Sequence, residues 1–477
     1  MPSWRPSIPS SPATAGSTGW PSGRCSETRR RPPARRTGRA EGCDLLARSF
    51  VQSEAWSARA DRVIPGGGQT LSKAPSQWAA GAPSLLRRAE GGHVWDVDGN
   101  EWVDFPMALG PVVLGHADPR VEQAIVRQLR DGISFTMTHP LEVEVAERIV
   151  ELCPGVDAVR FAKTGSEATT AAVRLARART GRERVLVCGY HGWHDWYAAV
   201  TPTAKGVPRH AAELVTPFPF NDLRAVTEEL RAGDVAAVVL DPCGPGRPRP
   251  GFLEGVVEAC RRAGALSIFD EVVAGFRVAP GGAREKYGVV PDLSCYGKAL
   301  GNGMPLSAVA GGRETMREFG EVLVSGTYGG ETLSLAAART VLDVVSEGTV
   351  LPRIGRLGER LQAGMDGSVR RHGLTELVTV GGEPCRPVVG FGGDQVVKSW
   401  FQQCFTADGL LFTGTFNLCA AHSDEDLDRA LTAFERACAA LAEEGDATRL
   451  LQGAPVTPVR RFAGEPAGAA EAGGSRL

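Results

Sequence analysis

The feature that most constrains the fold is an alternation of short apolar runs with amphipathic stretches through the middle of the chain. The runs have the length of buried strands, and the stretches between them carry apolar residues at helical spacing. This alternation predicts an α/β fold in which a large, mostly parallel sheet has helices on both faces. The predicted strands are Val185–Cys188, Ala236–Leu240, Leu266–Phe269, Leu293–Tyr296 and Ala308–Ala310. The predicted helices are Glu167–Thr180, Leu223–Arg231 and Phe252–Ala263.

The segments on either side of this alternation predict a second, smaller α+β domain. Residues 92–104 have the pattern of a β-hairpin whose turn is Asp98-Gly99-Asn100. Near the C-terminus, Arg356–Arg371 and Glu425–Glu443 are long helical patterns around weaker strand signals. We therefore predict a large domain over residues 113–345 and a smaller domain built from residues 43–112 and 346–451.

Both ends of the chain have the composition of disordered segments. Residues 1–42 are rich in Pro, Ser, Arg and Gly, and residues 452–477 are rich in Pro, Gly and Ala. Such segments bury too little apolar surface to offset the entropy lost on ordering. The alternative for the first segment is a basic arm that binds nucleic acid or a membrane, but no other feature of the sequence supports it.

Composition excludes several functional classes. The chain has 53 Lys and Arg against 55 Asp and Glu, and this net charge of −2 argues against a dedicated nucleic-acid-binding protein. No apolar run approaches the roughly 18 residues of a membrane span. The 11 cysteines are scattered, which favours free thiols and a cytoplasmic location. The spacing of Cys188, His191 and His194 matches no common zinc site, so we expect no metal.

Two predicted strands end in charged residues, and ligands of open α/β sheets bind at the carboxyl ends of strands. Asp270 ends one strand, and its carboxylate needs a cation or hydrogen-bond donors if buried, both of which a protonated ring nitrogen supplies. Val272 lies two residues further and faces the same side. Lys298 ends another strand before a Gly-rich turn, where desolvation can lower the pKa of its amine and favour Schiff-base chemistry. The alternative for Lys298 is an ordinary surface lysine.

Two other turns carry residues suited to a flat, phosphorylated ligand. Thr164–Glu167 has the spacing of a capping box at the start of a predicted helix. Gly165 and Ser166 would offer backbone N–H groups and a hydroxyl to an anion at the positive end of that helix. Tyr190 and His191 follow another strand, where their rings could stack on a flat cofactor or simply belong to the core.

Together these residues describe one site that combines a phosphate cup, an aromatic ring, a carboxylate for a pyridinium nitrogen and a lysine for an aldehyde. Pyridoxal 5'-phosphate (PLP) enzymes require this combination. The sequence therefore predicts PLP as the cofactor.

With these residues, the sequence resembles a known family, the class III PLP-dependent aminotransferases of fold type I. Within this family it resembles the glutamate-1-semialdehyde aminomutase-like branch. The resemblance extends from about Arg62 to about Leu441, and its motifs follow the family order. These motifs are Val94–Phe105, Leu114–Pro119, Pro140–Glu147, Val159–Thr169, Gly189–Trp196, Ile268–Arg277, Gly297–Gly311 and Gly326–Ala337.

The resemblance implies a role for each residue of the predicted site. Lys298 corresponds to the lysine that forms the Schiff base, Asp270 to the partner of the pyridinium nitrogen, and Val272 to the residue packed under the ring. The substrates implied are a small-molecule amino donor and a carbonyl acceptor.

The resemblance also implies how the rest of the cofactor is held. Tyr190 corresponds to the stacking aromatic residue, with His191 beside it, and Gly165 and Ser166 correspond to phosphate contacts. Thr327 matches a family threonine that reaches the phosphate of the neighbouring subunit, so the resemblance implies a homodimer with shared sites.

Three segments depart from the family pattern. Asp241-Pro242 stands where the family usually has Glu-Pro. Gln69–Pro75 contains Lys73 but lacks the arginine with which the aminomutases bind the substrate carboxylate. Gly414–Asn417 occupies the position of a segment that carries a glutamate in those enzymes. The last two departures argue against glutamate 1-semialdehyde as the substrate, and none of the three affects the prediction of PLP.

We therefore predict a PLP-dependent aminotransferase that moves an amino group from a donor to a carbonyl acceptor through a Schiff base on Lys298. One alternative is an intramolecular aminomutase, which needs no external acceptor, and another is a different PLP reaction such as decarboxylation or racemisation. A binding protein with a vestigial site is disfavoured because Lys298 and Asp270 are both present. The Ala-, Arg-, Gly- and Pro-heavy residue usage suggests a high-GC bacterium, for which we expect a role in the biosynthesis of a specialised metabolite.

Overall fold

The computed structural model describes residues 48–244 and 246–459. The strands are β1 Leu86–Glu90, β2 His93–Asp96, β3 Glu101–Asp104, β4 Ala158–Ala162, β5 Arg184–Cys188, β6 Val215–Pro217, β7 Val235–Leu240, β8 Leu266–Glu271, β9 Leu293–Tyr296, β10 Ser307–Gly311, β11 Thr379–Glu383, β12 Arg386–Gly390 and β13 Leu410–Leu411. The α-helices are α1 Val51–Val63, α2 Pro119–Asp131, α3 Pro140–Leu152, α4 Gly165–Thr180, α5 Asp195–Ala198, α6 Leu223–Leu230, α7 Phe252–Ala263, α8 Ala283–Tyr287, α9 Arg313–Arg317, α10 Thr332–Ser346, α11 Val350–Arg371, α12 Gln395–Ala407, α13 Asp424–Glu444 and α14 Ala447–Leu450.

The central element is a seven-stranded sheet with the strand order β4-β10-β9-β8-β7-β5-β6. The five consecutive strands β9, β8, β7, β5 and β6 pair in parallel with one another. Every residue of β7 and β8 is buried, which is typical of strands covered on both faces. The predicted α/β fold with a mostly parallel sheet is therefore confirmed.

Helices cover both faces because successive residues of a strand point to opposite sides. Val185 and Val187 of β5 pack in the same apolar cluster as the buried face of α4. Leu186 and Cys188 belong to the cluster on the opposite face, which contains residues of α6 and α7. The buried face of α4 is rich in alanine, which lets this helix lie close to the sheet.

Strand β10 runs antiparallel to both of its neighbours, β4 and β9. The sequence predicts this strand at Ala308–Ala310, but the alternation of strands and helices does not give its direction. The connection from β9 to β10 spans residues 297–306 and contains only a short 3₁₀ turn. A parallel crossover needs a dozen or more residues, so this short connection makes the strand return in the opposite direction.

The segments that flank the large sheet meet in a second sheet of four strands with the order β1-β2-β3-β13. The predicted hairpin forms from β2 and β3, and Gly99 in its turn has a φ of +89°. The Asp96 carboxylate fixes this turn by accepting the backbone N–H groups of Asp98 at 3.0 Å and Asn100 at 2.8 Å. Strand β13 pairs in parallel with β3, so N-terminal and C-terminal segments together form the smaller α+β part of the fold.

The ends of the chain are described only in part. The predicted disordered extension, residues 1–42, lies outside the described residues, as do residues 460–477 of the predicted tail. Residues 452–459 of that tail are described and pack against the body of the protein. Val456 is buried, and its N–H donates to Ser399 Oγ at 2.9 Å. The composition of the tail does not reveal that this one valine supplies an apolar contact. No helix of the described residues is long and apolar enough to cross a bilayer.

Candidate active site at the carboxyl edge of the large sheet

Neighbouring strands of the large sheet end at the same edge, and the predicted site residues follow them. The neighbours β9, β8, β7 and β5 all run in the same direction. Lys298 lies just after β9, Asp270 lies near the end of β8, and Tyr190 and His191 come just after β5. The fold therefore brings together residues that are separated by up to 108 positions in the sequence, from Tyr190 to Lys298.

Asp270 is buried and is held by hydrogen bonds to both of its carboxylate oxygens. Its Oδ1 accepts the backbone N–H of Val272 at 3.1 Å, and its Oδ2 lies 2.7 Å from Nδ1 of His191. The side chain of Asp270 is 6% exposed and that of His191 is 0% exposed. A carboxylate oxygen has two acceptor positions, so Asp270 keeps capacity for a further donor.

Lys298 has an unusual backbone conformation. Its φ is +41°, and it begins a 3₁₀ turn, Lys298–Gly301, directly after β9. Positive φ is uncommon for a residue with a side chain, and such strain concentrates at functional sites. The end of the turn is anchored by Asn302, whose Oδ1 accepts the N–H groups of Val113 and Leu114, each at 2.9 Å. The half-buried lysine therefore lies on a strained turn whose end is fixed.

The first turn of α4 has the capping box that the sequence predicts. The N–H of Glu167 donates to Thr164 Oγ1 at 3.3 Å, and the N–H of Thr164 donates to Glu167 Oε2 at 2.7 Å. The helix starts at Gly165, two residues before its predicted start. Gly165 and Ser166 therefore occupy the first turn, where backbone N–H groups and the helix dipole favour an anion.

Two glycines allow neighbouring side chains to pack closely against this turn. A Cβ on Gly165 would lie 2.8 Å from Cγ1 of Val272, and a Cβ on Gly192 would collide with the Ser166 side chain. Val272 also reaches toward the lysine turn, since a Cβ on Gly297 would lie 3.3 Å from its Cγ1. Val272 thus lies between the N-terminus of α4 and the turn that carries the lysine.

Tyr190 and His191 have different environments although they are adjacent. The Tyr190 ring is 37% exposed and packs edge-on against Tyr197, with ring centroids 5.8 Å apart. His191 is buried, and its Nε2 lies 3.1 Å from the carbonyl oxygen of Cys188. The Tyr190 ring is thus accessible for stacking, whereas the His191 ring belongs to the hydrogen-bond network of Asp270.

Thr327 lies on an exposed loop before α10. Among the residues that the structure describes, its side chain makes no hydrogen bond within the chain. The same loop is tied to the start of α4 by an ion pair between Lys163 Nζ and Glu331 Oε2 at 2.9 Å. The loop is therefore anchored at one end while its threonine faces outward.

Asp241 is a site residue that the sequence analysis noted only as a departure from the family. It directly follows β7, the neighbour of β8, and its Oδ1 accepts the N–H groups of Cys243 at 3.0 Å and Gly244 at 3.2 Å. Burial raises its pKa, the Arg386 charge opposes this shift and the Asp270 carboxylate adds to it. The signal that identified Asp270, a carboxylate at the end of an apolar strand, applies equally to Asp241.

The residues considered for a metal site are engaged in other contacts. His194 Nδ1 lies 2.8 Å from Thr170 Oγ1, and burial raises the pKa of the Cys188 thiol to about 12. The part of the chain that the structure describes contains no group of three or more His, Cys, Asp or Glu residues able to hold a metal ion.

The arrangement fits PLP in its chemistry. Gly165 and Gly192 let the side chains of Val272 and Ser166 pack against the first turn of α4, whose N-terminal N–H groups suit a phosphate. Asp270 is a buried carboxylate with capacity to accept from a ring N–H, and Lys298 supplies a primary amine at the neighbouring strand end. The residues present therefore meet the requirements of the phosphate, the ring nitrogen and the aldehyde.

Comparison with known sequences identifies relatives over most of the chain. The family model described as "Aminotransferase class-III" matches residues 76–383. A curated glutamate-1-semialdehyde 2,1-aminomutase from Methanothrix thermoacetophila is 40% identical over 325 residues, which are 64% of this chain and 75% of the relative. Another from Desulforudis audaxviator is 36% identical over 428 residues, which are 82% of this chain and 98% of the relative.

Comparison with solved structures agrees with the sequence relatives. The FumI protein of Sphingopyxis sp. MTA144, solved in a form that contains PLP, aligns with a TM-score of 0.77 at 30% identity. The alignment covers 85% of this chain and 98% of that one. The chain therefore belongs to the class III aminotransferases and is a PLP-dependent enzyme of the aminotransferase type.

Proposed function

We propose that this enzyme transfers an amino group between two separate molecules, an amino donor and a carbonyl acceptor. The observation that carries the proposal is the meeting of Lys298, Asp270 and the N-terminus of α4 around Val272 at one edge of the sheet. This arrangement supplies an amine, a buried acceptor and an anion site within reach of one flat ligand.

Lys298 and Asp270 carry the chemistry in this proposal. PLP supplies an aldehyde that condenses with amines and a pyridinium ring that accepts electrons. Lys298 would hold the aldehyde through Nζ, and its amine, once an amino donor has displaced it, would take and return the donor's α proton. Asp270 accepts a hydrogen bond from the ring nitrogen and stabilises the proton there.

The neighbouring residues orient the cofactor. The N–H groups of Gly165 and Ser166, with the Ser166 hydroxyl, bind the phosphate at the positive end of α4. Val272 would pack against one face of the ring and Tyr190 would cover the other, while His191 contacts Asp270, the carboxylate that would bind the ring nitrogen. The exposure of the Tyr190 ring and the position of Val272 between α4 and the lysine turn support these roles.

The departures from the aminomutases support transfer between two molecules. Lys73, the only cation of Gln69–Pro75, is exposed, and a lysine lacks the bidentate geometry of an arginine. In Gly414–Asn417 the asparagine is buried, and its Nδ2 donates to the Pro106 carbonyl at 3.0 Å. Without these two contacts, we expect the site to hold a small acid less tightly than an aminomutase does. Weaker binding favours release of each product before the next substrate binds.

The second candidate function is an intramolecular aminomutase. Its support is the name of the curated relatives at 40% and 36% identity, both glutamate-1-semialdehyde 2,1-aminomutases. The two candidates share the cofactor and the proposed roles of Lys298 and Asp270. They differ in whether a second molecule is needed to complete the reaction.

We also propose a homodimer in which Thr327 contacts the phosphate bound by the other subunit. Thr327 is exposed, and the neighbouring Tyr328 is 63% exposed. At the end of this loop, the Thr332 hydroxyl donates a hydrogen bond to the Ile133 carbonyl. Ile133 begins a short segment with exposed apolar side chains, which also contains Phe135 and Met137. Exposed apolar surface of this kind is typical of an interface.

Light scattering of the purified enzyme tests the dimer, and mixed dimers test the shared site. A dimer that combines Lys298→Ala in one subunit with Thr327→Ala in the other is expected to keep one unmodified site if the threonine acts across the interface. An enzyme that is monomeric at working concentration would contradict the proposal.

Two further parts of the proposal concern the cellular compartment of the enzyme and its metabolic role. We place the enzyme in the cytoplasm, and the support is that eight of the nine cysteines in the described residues are free and buried, as is common in a reducing compartment. We place its reaction in biosynthesis, because the reaction installs an amine on a carbonyl compound. Fractionation of the source cells and the metabolite profile after loss of the enzyme test these two assignments.

A panel of amino donors tests the proposed reaction. Each donor is added to the PLP-loaded enzyme without an acceptor, and the absorbance of the bound cofactor is followed. Transfer between two molecules predicts conversion to the amine form by a subset of donors and recovery only after a carbonyl acceptor is added. No conversion by any donor would contradict the proposal.

A further inference from the structure

The ring of His191 lies between two hydrogen-bond acceptors. Its Nε2 is 3.1 Å from the Cys188 carbonyl oxygen, and its Nδ1 is 2.7 Å from Asp270 Oδ2. A carbonyl oxygen only accepts, so Nε2 carries a hydrogen. An ionised carboxylate also only accepts, so Nδ1 must carry a hydrogen as well unless Asp270 itself is protonated.

The surroundings favour the proton on the histidine. Asp270 Oδ1 accepts the Val272 N–H at 3.1 Å, which stabilises the ionised carboxylate. Asp241 adds a second carboxyl group at the next strand end, and a Cβ on Gly189 would lie 3.1 Å from Cβ of Asp241 and 3.6 Å from Cε1 of His191. A cation between two carboxyl groups lowers their mutual repulsion.

The other groups that face the ring add no competing charge. Cys188 lies on β5, and burial keeps the pKa of its thiol at about 12, so the thiol stays neutral. From α5, Tyr197 contacts the ring edge at a centroid distance of 5.4 Å and donates its hydroxyl to the Gly189 carbonyl at 2.6 Å. Trp196 stacks on the ring at 6.5 Å, and Thr169 of α4 donates to the His191 backbone carbonyl at 2.8 Å.

We propose that His191 is a positioning residue that donates hydrogen bonds from both ring nitrogens, so that it stabilises the carboxylate of Asp270 and fixes the direction in which this carboxylate can accept a further hydrogen bond. This inference rests on the proposed role of Asp270 as the partner of the cofactor's ring nitrogen. It explains why the histidine is buried beside the carboxylate, whereas the adjacent Tyr190 remains exposed.

The first experiment measures the protonation of His191 directly in the PLP-loaded enzyme. Nitrogen NMR of histidine-labelled protein, assigned with a His191→Asn variant, is expected to show both ring nitrogens protonated at neutral pH. A neutral ring with one N–H at neutral pH would overturn the proposal, whichever nitrogen carries the hydrogen.

The second experiment compares variants by a property of the cofactor. His191→Asn and His191→Phe are expected to move the pH midpoint of the visible absorbance of bound PLP to higher pH, because a positive charge is lost nearby. We expect kcat to fall by about tenfold to a hundredfold, as for the loss of a charge-assisted hydrogen bond, and KM to change less. His194→Asn is the matched control, because His194 bonds Thr170 instead, and it should titrate like the unmodified enzyme.

The outcomes separate this inference from the proposed function. If Lys298→Ala and Asp270→Asn lose activity but the His191 variants titrate and turn over like the unmodified enzyme, the inference about His191 is wrong and the proposed site stands. If Lys298→Ala and Asp270→Asn leave activity unchanged, the proposed site itself is wrong. If His191→Phe does not fold, His191→Asn and the NMR measurement still decide the question.

Discussion

Val272 fills the space that a side chain on Gly165 would occupy, with its two γ carbons 2.8 and 2.9 Å from the position of a Cβ on that glycine. The contact joins the residue after β8 to the first turn of α4. In the proposed site, this contact therefore links the residue that would lie under the cofactor ring to the residues that would bind the phosphate.

Gly165→Ala is predicted to weaken PLP binding, because either Val272 or the first turn of α4 must move. Overpacking of this kind costs about 1–3 kcal/mol, so the dissociation constant of PLP should rise by about tenfold or more. Equilibrium titration of the apoenzyme with PLP measures the change. Adding Val272→Ala should recover part of the affinity, and Gly355→Ala, where nothing lies within 4 Å of the new Cβ, is the control.

Lys298→Ala is predicted to abolish the covalent link between cofactor and protein. Turnover should fall by at least about 10²–10⁴-fold, because both the nucleophile and the proton carrier are lost. Borohydride reduction followed by peptide mapping measures the link. Lys205→Ala, at an exposed lysine, should behave like the unmodified enzyme. A reducible link that persists in the Lys298→Ala variant would show that another lysine binds the cofactor.

Asp270→Asn is predicted to retain PLP while losing most of its turnover. The amide keeps the shape of the carboxylate but carries no charge to stabilise a proton on the ring nitrogen, which should reduce kcat by about a hundredfold or more. Steady-state kinetics and the absorbance of bound PLP test this outcome, with Asp131→Asn at an exposed position as the control. Unimpaired turnover in Asp270→Asn would exclude the role assigned to this carboxylate.

His422 is predicted to make the fold sensitive to acid. Burial lowers its pKa to about 4, against the opposing effect of Asp426 and Asp104, whereas the unfolded chain has the ordinary value of 6.5. Between these values the unfolded state binds more protons, so stability falls as the pH drops from about 6.5 to about 4, by about 3 kcal/mol in total.

Thermal unfolding at several pH values within that window measures this effect. His422→Asn keeps an acceptor near the position of Nδ1, which accepts the Cys419 N–H at 3.1 Å, and removes the titrating group. The variant should be less stable at neutral pH but lose less stability on acidification. An equal loss in both proteins would assign the acid sensitivity to other groups.

The sequence predicts the parts of this fold that depend on local pattern. Leu293–Tyr296 and Phe252–Ala263 form as predicted, because apolar runs and helical periodicity report burial directly. The direction of β10 is not predictable in this way, since it depends on the length of the connection from β9.

Local sequence patterns likewise predict only some features of the site. The strand ends identify Asp270 and Lys298, because a charged residue after an apolar run is visible in one segment. The pairing of His191 with Asp270 joins residues 79 positions apart, and no local pattern reports which side chain will fill the space between two strand ends. The proximity of Asp241 to this pair depends likewise on the order of strands in the sheet.

The most direct test of the central claim is incubation of the PLP-loaded enzyme with glutamate 1-semialdehyde and no other substrate, with 5-aminolevulinate measured over time. The cofactor is supplied in its aldehyde form in one reaction and in its amine form in a second reaction, so that neither starting state limits the result. Transfer between two molecules predicts little or no 5-aminolevulinate in either reaction, together with turnover of a separate donor and acceptor pair. Efficient formation of 5-aminolevulinate from the semialdehyde alone would contradict this account and identify the enzyme as an aminomutase.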